Sequence, residues 1–375
     1  MKETQKRADT LSDAIERLHV GQSSLFRNRL SRAIVLSNEA GDHILDGLLR
    51  GASPERIAAD AAEDPQDVAD LLIAVEQTLE NWRSAGLLST TDIASRFPHE
   101  PPERAASFDA VFHHAGRSIR LISESAALFG QIATLLSDFR LFGPNLAPNS
   151  TVRIVEVSAG VAVFHDGRPL WRAATPDEAR FLAMQSIIAA LTDGDAISAI
   201  LHAGLVAKEG TGLLLAGTTG RGKTTLTLAL ADAGWAFAGD DMIALRNDAT
   251  ATALPLGAHL KQTKHVLERA TARVVEWCDA QGGLFWPINA VAPGSRITIQ
   301  SILLPHYLPD HAPDLKEVSP EQALETLLTT GSEPVGTRQT LAGITSLLNS
   351  VPAYTLTYAS TAEALSLVAG LDDAD

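Results

Sequence analysis

Eight consecutive residues, Gly217-Thr218-Thr219-Gly220-Arg221-Gly222-Lys223-Thr224, carry the strongest chemical signal in this chain. They match G-x-x-x-x-G-K-[ST], a pattern whose glycines let the backbone wrap around phosphate oxygens. The exposed N–H groups and the positive end of the following helix then face the anion. Lys223 would reach the β- and γ-phosphates, the Thr224 hydroxyl would ligate Mg²⁺, and Thr225 would complete the phosphate-binding run. The flanks agree: Leu213 to Ala216 reads as a short buried strand, and Thr225 to Asp232 as an apolar helix. The bland alternative is a glycine-rich turn that only joins strand to helix. In a chain of this length, a chance match to the full pattern is expected on the order of one time in a hundred.

Asp240-Asp241 is the second signal. Gly234 ends the helix, and Trp235 to Ala238 reads as a second strand that stops at Gly239. A right-handed crossover makes the two strands parallel and, in the simplest case, neighbours. Their carboxyl ends then share one edge of the sheet, which brings the two aspartates beside the loop. One carboxylate can help to hold Mg²⁺ while the other accepts a proton from an attacking hydroxyl. A solvated Gly-Asp-Asp turn is the alternative. Many phosphate-loop proteins carry the metal-holding acid much further down the chain. Neither an Asn-Lys-x-Asp guanine motif nor a Leu-Ser-Gly-Gly transporter signature is present.

The elements that must position these residues belong to a long α/β region. β-like runs (Val152 to Val157, Val161 to Phe164, Leu213 to Ala216, Ile297 to Leu304, Ala353 to Tyr358) alternate with helical ones. The helical runs are read at Pro176 to Ile200, Thr224 to Asp232, Pro320 to Leu328 and Leu341 to Leu347. A smaller α+β, winged-helix-like module precedes it, at residues 1–92. In it, short β-type runs between Leu18 and Leu36 are followed by a helix from Asn38 to Leu49. A second helix opens at Ser53-Pro54-Glu55, with an N-cap residue followed by proline at the first helical position. A third opens at Asp64-Pro65, and Val68, Leu71, Leu72, Val75, Leu79 and Trp82 recur along it at helical spacing. Leu87-Leu88 then either returns as a strand or packs beneath. Residues 93–106, with three prolines in a polar stretch, read as a linker, and 107–370 as the second domain.

Composition narrows the function classes. The chain has 375 residues, 45% hydrophobic and 20% charged, which is globular and long enough for two or three domains. Its formal charge of −15 argues against general binding to nucleic acid or to an anionic membrane. The one cysteine, Cys278, rules out an internal disulfide and a cysteine-based zinc cluster and fits a reducing compartment. No apolar run of about 18 residues occurs. The expectation is a soluble, cytoplasmic protein. His113-His114 and the other histidines lack metal-ligand spacing.

The stretch from Leu201-His202-Ala203-Gly204-Leu205-Val206, through the phosphate loop, to Ala238-Gly239-Asp240-Asp241 resembles HPr serine kinase/phosphorylase and its relatives. The close match covers about forty residues; a looser pattern of strands and helices extends over 110–370. The resemblance implies an HPr kinase-like (PEP carboxykinase-like) fold that uses ATP and Mg²⁺. It implies Asp240 as general base, Asp241 and Thr224 at the metal, and His202 in the active site. Lys261 resembles a lysine that follows the acid pair in divergent relatives and contacts phosphate or substrate. Where the family often has Glu after the loop, this chain has Thr225, like relatives found with peptide-modification enzymes. The family's C-terminal glycine-rich signature is not recognisable.

The order of elements in 1–92, ending in Trp82-Arg83-Ser84-Ala85-Gly86-Leu87-Leu88, resembles the PqqD-type domain. That resemblance implies binding of a precursor peptide's leader as an added β-strand. Arg27, Arg29 and Arg32 would then favour an acidic leader. A packing or dimerisation module, and with it a homo-oligomer, is the alternative. The expected activity is transfer of the ATP γ-phosphoryl group to a Ser or Thr hydroxyl of a peptide or protein. Two other readings compete: an ATP-binding scaffold or switch without transfer, and a small-molecule kinase.

Overall fold

The computed structural model describes the chain except residues 1, 92–106, 142–146, 158–159, 174, 193–195, 219, 255, 261–271, 280–281, 288, 331–332, 335–340 and 373–375. The linker read at 93–106 therefore lies outside the described residues. The chain divides into two compact units, Met1–Pro98 and His99–Asp375. No helix among the described residues is long and apolar enough to cross a membrane.

The smaller unit starts with a mostly polar helix, Lys2–Ala14. It nevertheless buries Ala8, Leu11 and Ala14. Three antiparallel strands follow in sequential order, Ile15–Val20, Ser23–Asn28 and Ile34–Ser37. The next helices are Glu39–Leu49 and Pro54–Ala61, capped by the side chains of Asn38 and Ser53. The last helix is Val68–Ser84. It begins later than Asp64-Pro65, because the chain around Pro65 forms turns and Asp67 takes the N-cap position. Phe26 meets Trp82 edge to face at 5.5 Å, within a core that includes Leu45, Ile57, Leu79 and Leu87. Leu87-Leu88 packs beneath and does not return as a strand. Fully buried Asn28 holds that segment, its amide donating to the carbonyls of Leu87 at 2.7 Å and Ser89 at 2.8 Å.

Of the three arginines expected to favour an acidic leader, Arg29 is exposed, Arg32 is half-buried and Arg27 is placed otherwise. Arg27 is buried and faces the Glu16 carboxylate at 3.7 Å, so it cannot greet an acidic peptide at the surface.

The larger unit is mixed α/β. Among its described residues, a six-stranded sheet runs in the order Arg140–Leu141, Phe108–His114, Arg117–Ser123, Ser150–Val157, Gly160–His165, Arg168–Ala173. Helices Ala126–Leu135 and Pro176–Leu191 share a core with it, built around Phe112, Leu121, Ile154, Ile187 and Ile188. The second of these was expected to reach Ile200. It ends at Leu191, Thr192 caps it by donating its hydroxyl to Ile188 O, and the chain resumes as strand Ile197–Leu201. All five residues of that strand are buried, and a short apolar run buried on every side carries no period that separates strand from helix.

A ten-stranded sheet holds the motif residues. Strand Ala236–Gly239 lies at one end, followed by Ala203–Lys208, Thr211–Ala216 and the long strand Arg296–Tyr307. The first part of Arg296–Tyr307 pairs with Thr250–Thr252 and its last part with Ala353–Tyr358. Ala203–Lys208 is antiparallel to both Thr211–Ala216 and Ala236–Gly239. The loop strand and the acid strand are therefore parallel, as expected, but not neighbours: an antiparallel strand lies between them. Helix Lys223–Asp232 contributes Leu226 and Leu230 to a core with Leu213, Leu215 and Leu303.

Candidate active site

Ala216, the last residue of the loop strand, pairs with Ala203, and Gly239, the last of the acid strand, pairs with Leu205. Both strands thus finish at the edge where the intervening strand begins. His202 sits directly before that beginning. The sheet therefore delivers the phosphate loop, the acid pair and the histidine to one place, although the histidine lies before the loop in sequence.

The turn at the loop's end depends on glycine. Gly222 has φ of 95°, in the left-handed region, and a Cβ there would collide with the Tyr358 hydroxyl. Helix Lys223–Asp232 starts immediately after it. Thr218, Gly220 and Arg221 are exposed, Gly217 is buried and Thr224 is partly covered. Thr225 is exposed, on the helix. Thr219 and Lys261 lie outside the described residues.

Lys223 is only 8% exposed, and its Nζ lies 3.3 Å from Asp241 Oδ1. His202 Nε2 lies at the same distance, 3.3 Å, from that oxygen. His202 Nδ1 donates to the carbonyl of Thr330 at 2.7 Å. A carbonyl can only accept, so Nδ1 is the donor in that contact, and Nε2 is left facing the Asp241 carboxylate. Lys223 and His202 thus converge on one carboxylate. Burial opposes ionisation of Asp241, but the hydrogen bond from His202 and the charge of Lys223 outweigh it. The carboxyl is held well below the usual aspartate range.

Asp240 differs. It is 2% exposed, and neither carboxyl oxygen has a hydrogen-bond partner among the described residues. Burial first, and then the charge of Asp241, push its pKa up to about 7. Lys223, the nearby Thr224 hydroxyl and His202 offset only part of that. Two adjacent carboxyls whose environments drive their pKa values apart are suited to different tasks.

This has a consequence for stability. Asp240 rises from an ordinary 3.8 to about 7, so between those values the folded chain holds a proton that the unfolded chain has lost. Its contribution to stability is therefore present below about pH 4, falls as pH rises and is gone above about 7. Without nucleotide or metal, Asp240→Asn should melt at a higher temperature than the parent at pH 8. The gap should close toward pH 4. Thermal melts across that range measure it, and a variant less stable than the parent at pH 8 would contradict the buried charge.

Among the described residues, no cluster of three or more His, Cys, Asp or Glu side chains is arranged to hold a metal. Mg²⁺ typically takes only one or two carboxylates and completes its shell with phosphate oxygens and water. The unpartnered Asp240 oxygens beside Thr224, with Asp241 next in the chain, fit that mode.

Sequence reasoning missed four residues here. Thr330, which orients His202, follows helix Pro320–Thr329, far down the chain. Tyr307 and His306 end the strand beside the loop, and Tyr358 ends the next one. Arg221 donates to His306 Nε2. Burial and the Arg221 charge lower the His306 pKa.

No family model matches the sequence. No curated protein matches it either. Among solved structures, the chain is similar to the HPr(Ser) kinase/phosphatase from Coxiella burnetii, at 15% identity and a TM-score of 0.25, over 46% of this chain and 93% of that one.

Proposed function

We propose that the larger unit is an ATP- and Mg²⁺-dependent kinase that transfers the γ-phosphoryl group to a Ser or Thr hydroxyl of a peptide or protein. The observation that carries this reading is the convergence of Lys223, Asp240, Asp241 and His202 at the carboxyl ends of two parallel strands, against the phosphate loop. Loop amides and Lys223 bind the phosphates. Mg²⁺, held by Thr224 and Asp241 with phosphate oxygens, would supply charge neutralisation on the transferring group. Asp240 takes the proton of the attacking hydroxyl; a base near 7 is matched to work at neutral pH. His202 holds Asp241 in place and is itself fixed by Thr330.

One observation favours exchanging the two acids. The Thr224 hydroxyl lies near Asp240, which suits a carboxylate sharing the metal with the loop. Asp241, with its side chain 48% exposed, is more open to an acceptor. Mg²⁺ titration of activity in Asp240→Asn and Asp241→Asn separates the two, because the metal holder's variant needs more Mg²⁺.

The smaller unit is proposed to be a PqqD-like module that recognises the acceptor. Strand Ile34–Ser37 is the last of its three-stranded sheet, and Leu36 on it is exposed. An outer strand can pair with an extended peptide through its unpaired N–H and C=O groups. Incubation with ATP, Mg²⁺ and the peptide encoded beside the gene should give a phosphopeptide. ATP binding without transfer would favour the scaffold reading. Removing residues 1–102 should raise the KM for a full-length peptide and leave ATP affinity unchanged, since tethering raises the local acceptor concentration. A truncated chain as efficient as the intact one on that peptide would refute the role.

A further inference from the structure

We propose that Tyr307 is the platform on which the base of the bound nucleotide stacks, a subsite that rests on the phosphate-loop reading above. Among the described residues, Tyr307 is the exposed large apolar side chain of the larger unit, at 46% exposure. Its position is fixed by the sheet. Arg296–Tyr307 runs parallel to the loop strand, with Leu303 opposite Leu215, so its final residues project beside the loop. Pro305 borders Gly217, and the Tyr307 N–H donates to the Arg221 carbonyl at 3.3 Å. Tyr358, opposite Tyr307 on the next parallel strand, supports it from behind, with ring centroids 5.8 Å apart and planes tilted by 55°. Tyr358 is itself buried, and its hydroxyl lies against Gly222. One ring is therefore anchored and the other is presented to solvent at the loop's flank.

The two sides of the loop strand are not equivalent. The acid strand lies on one side of it, beyond Ala203–Lys208, and Arg296–Tyr307 lies on the other. A γ-phosphate in position for transfer points toward Asp240 and Asp241. The nucleoside, at the other end of the phosphate chain, then leaves the loop on the opposite side, toward Tyr307. An aromatic face there can hold any base by stacking, which selects for a nucleotide over bare polyphosphate without reading base edges.

The test is calorimetric titration of the full chain with Mg-ATP and, as a phosphate-only probe, with Mg-tripolyphosphate. Tyr307→Ala and Tyr307→Leu, the latter keeping apolar bulk over Tyr358, should each weaken ATP binding by roughly tenfold to a hundredfold. Both should leave tripolyphosphate binding unchanged, and Tyr307→Phe should bind ATP like the parent. ATP binding unaffected by Tyr307→Leu, or equal loss of both ligands, would overturn the platform. Lys223→Ala marks the loop separately. If it loses both ligands while the Tyr307 variants lose neither, the platform alone fails. If it binds both normally, or the parent binds neither, the phosphate-loop reading fails and takes the platform with it.

Discussion

Replacing Lys223 with alanine should abolish phosphoryl transfer and weaken ATP binding by roughly tenfold to a hundredfold, with the fold intact. Lys223 is the first residue of its helix, and its ammonium lies within 3.3 Å of Asp241. In the proposed site it would reach the β- and γ-phosphates, and hydrogen bonds to charged groups contribute about 1.5–3 kcal/mol each. The loss in transfer should exceed the loss in binding, because negative charge on the departing β-phosphate oxygens grows beyond the ground state. Removing one such preorganised donor typically costs about 10²–10³ in rate. Titration calorimetry gives the first number and initial rates give the second. Unchanged values for both would remove the phosphate-loop assignment.

The second large effect is expected at Asp240. Asp240→Asn keeps the shape of a fully buried side chain but cannot accept the acceptor's proton. Transfer should fall by roughly 10²–10⁴-fold while ATP affinity stays close to the parent's. The pH profile adds a sign. A base must be deprotonated to act, so the parent's rate should rise with pH up to about 7 and then level off. The residual rate of Asp240→Asn should lack that rise. If instead transfer at saturating Mg²⁺ survives in Asp240→Asn and is lost in Asp241→Asn, the roles of the two acids are exchanged.

Much of this site is legible along the chain because its strongest parts are local. Strand Thr211–Ala216, the motif and helix Lys223–Asp232 follow one another directly in sequence, and the glycine, lysine and threonine positions match the pattern that wrapping phosphate requires. The acid pair is legible one step later, since a crossover fixes the direction of the second strand. Adjacency is not fixed. Strand Ala203–Lys208 forms a hairpin with the loop strand and also fills the place beside Ala236–Gly239, a choice made by tertiary pairing. That same strand explains why His202, before the loop in sequence, arrives at the site. Thr330 and Tyr307 reach it through contacts between segments far apart, which no local pattern encodes. Helix Pro176–Leu191 was overextended for the opposite reason: the apolar residues of Ile197–Leu201 look alike in either conformation.

The central claim is that the loop and acid pair form one phosphoryl-transfer centre. Its most direct test is a single-turnover reaction with ATP labelled on the γ- or the α-phosphate, run side by side for the parent, Lys223→Ala and Asp240→Asn. The parent should move γ-label, and no α-label, onto a Ser or Thr of the peptide as ADP forms in equal amount, and both variants should leave the label on ATP. Release of the parent's γ-label only as free phosphate, or transfer by Asp240→Asn and Asp241→Asn at the parent's rate, would contradict it.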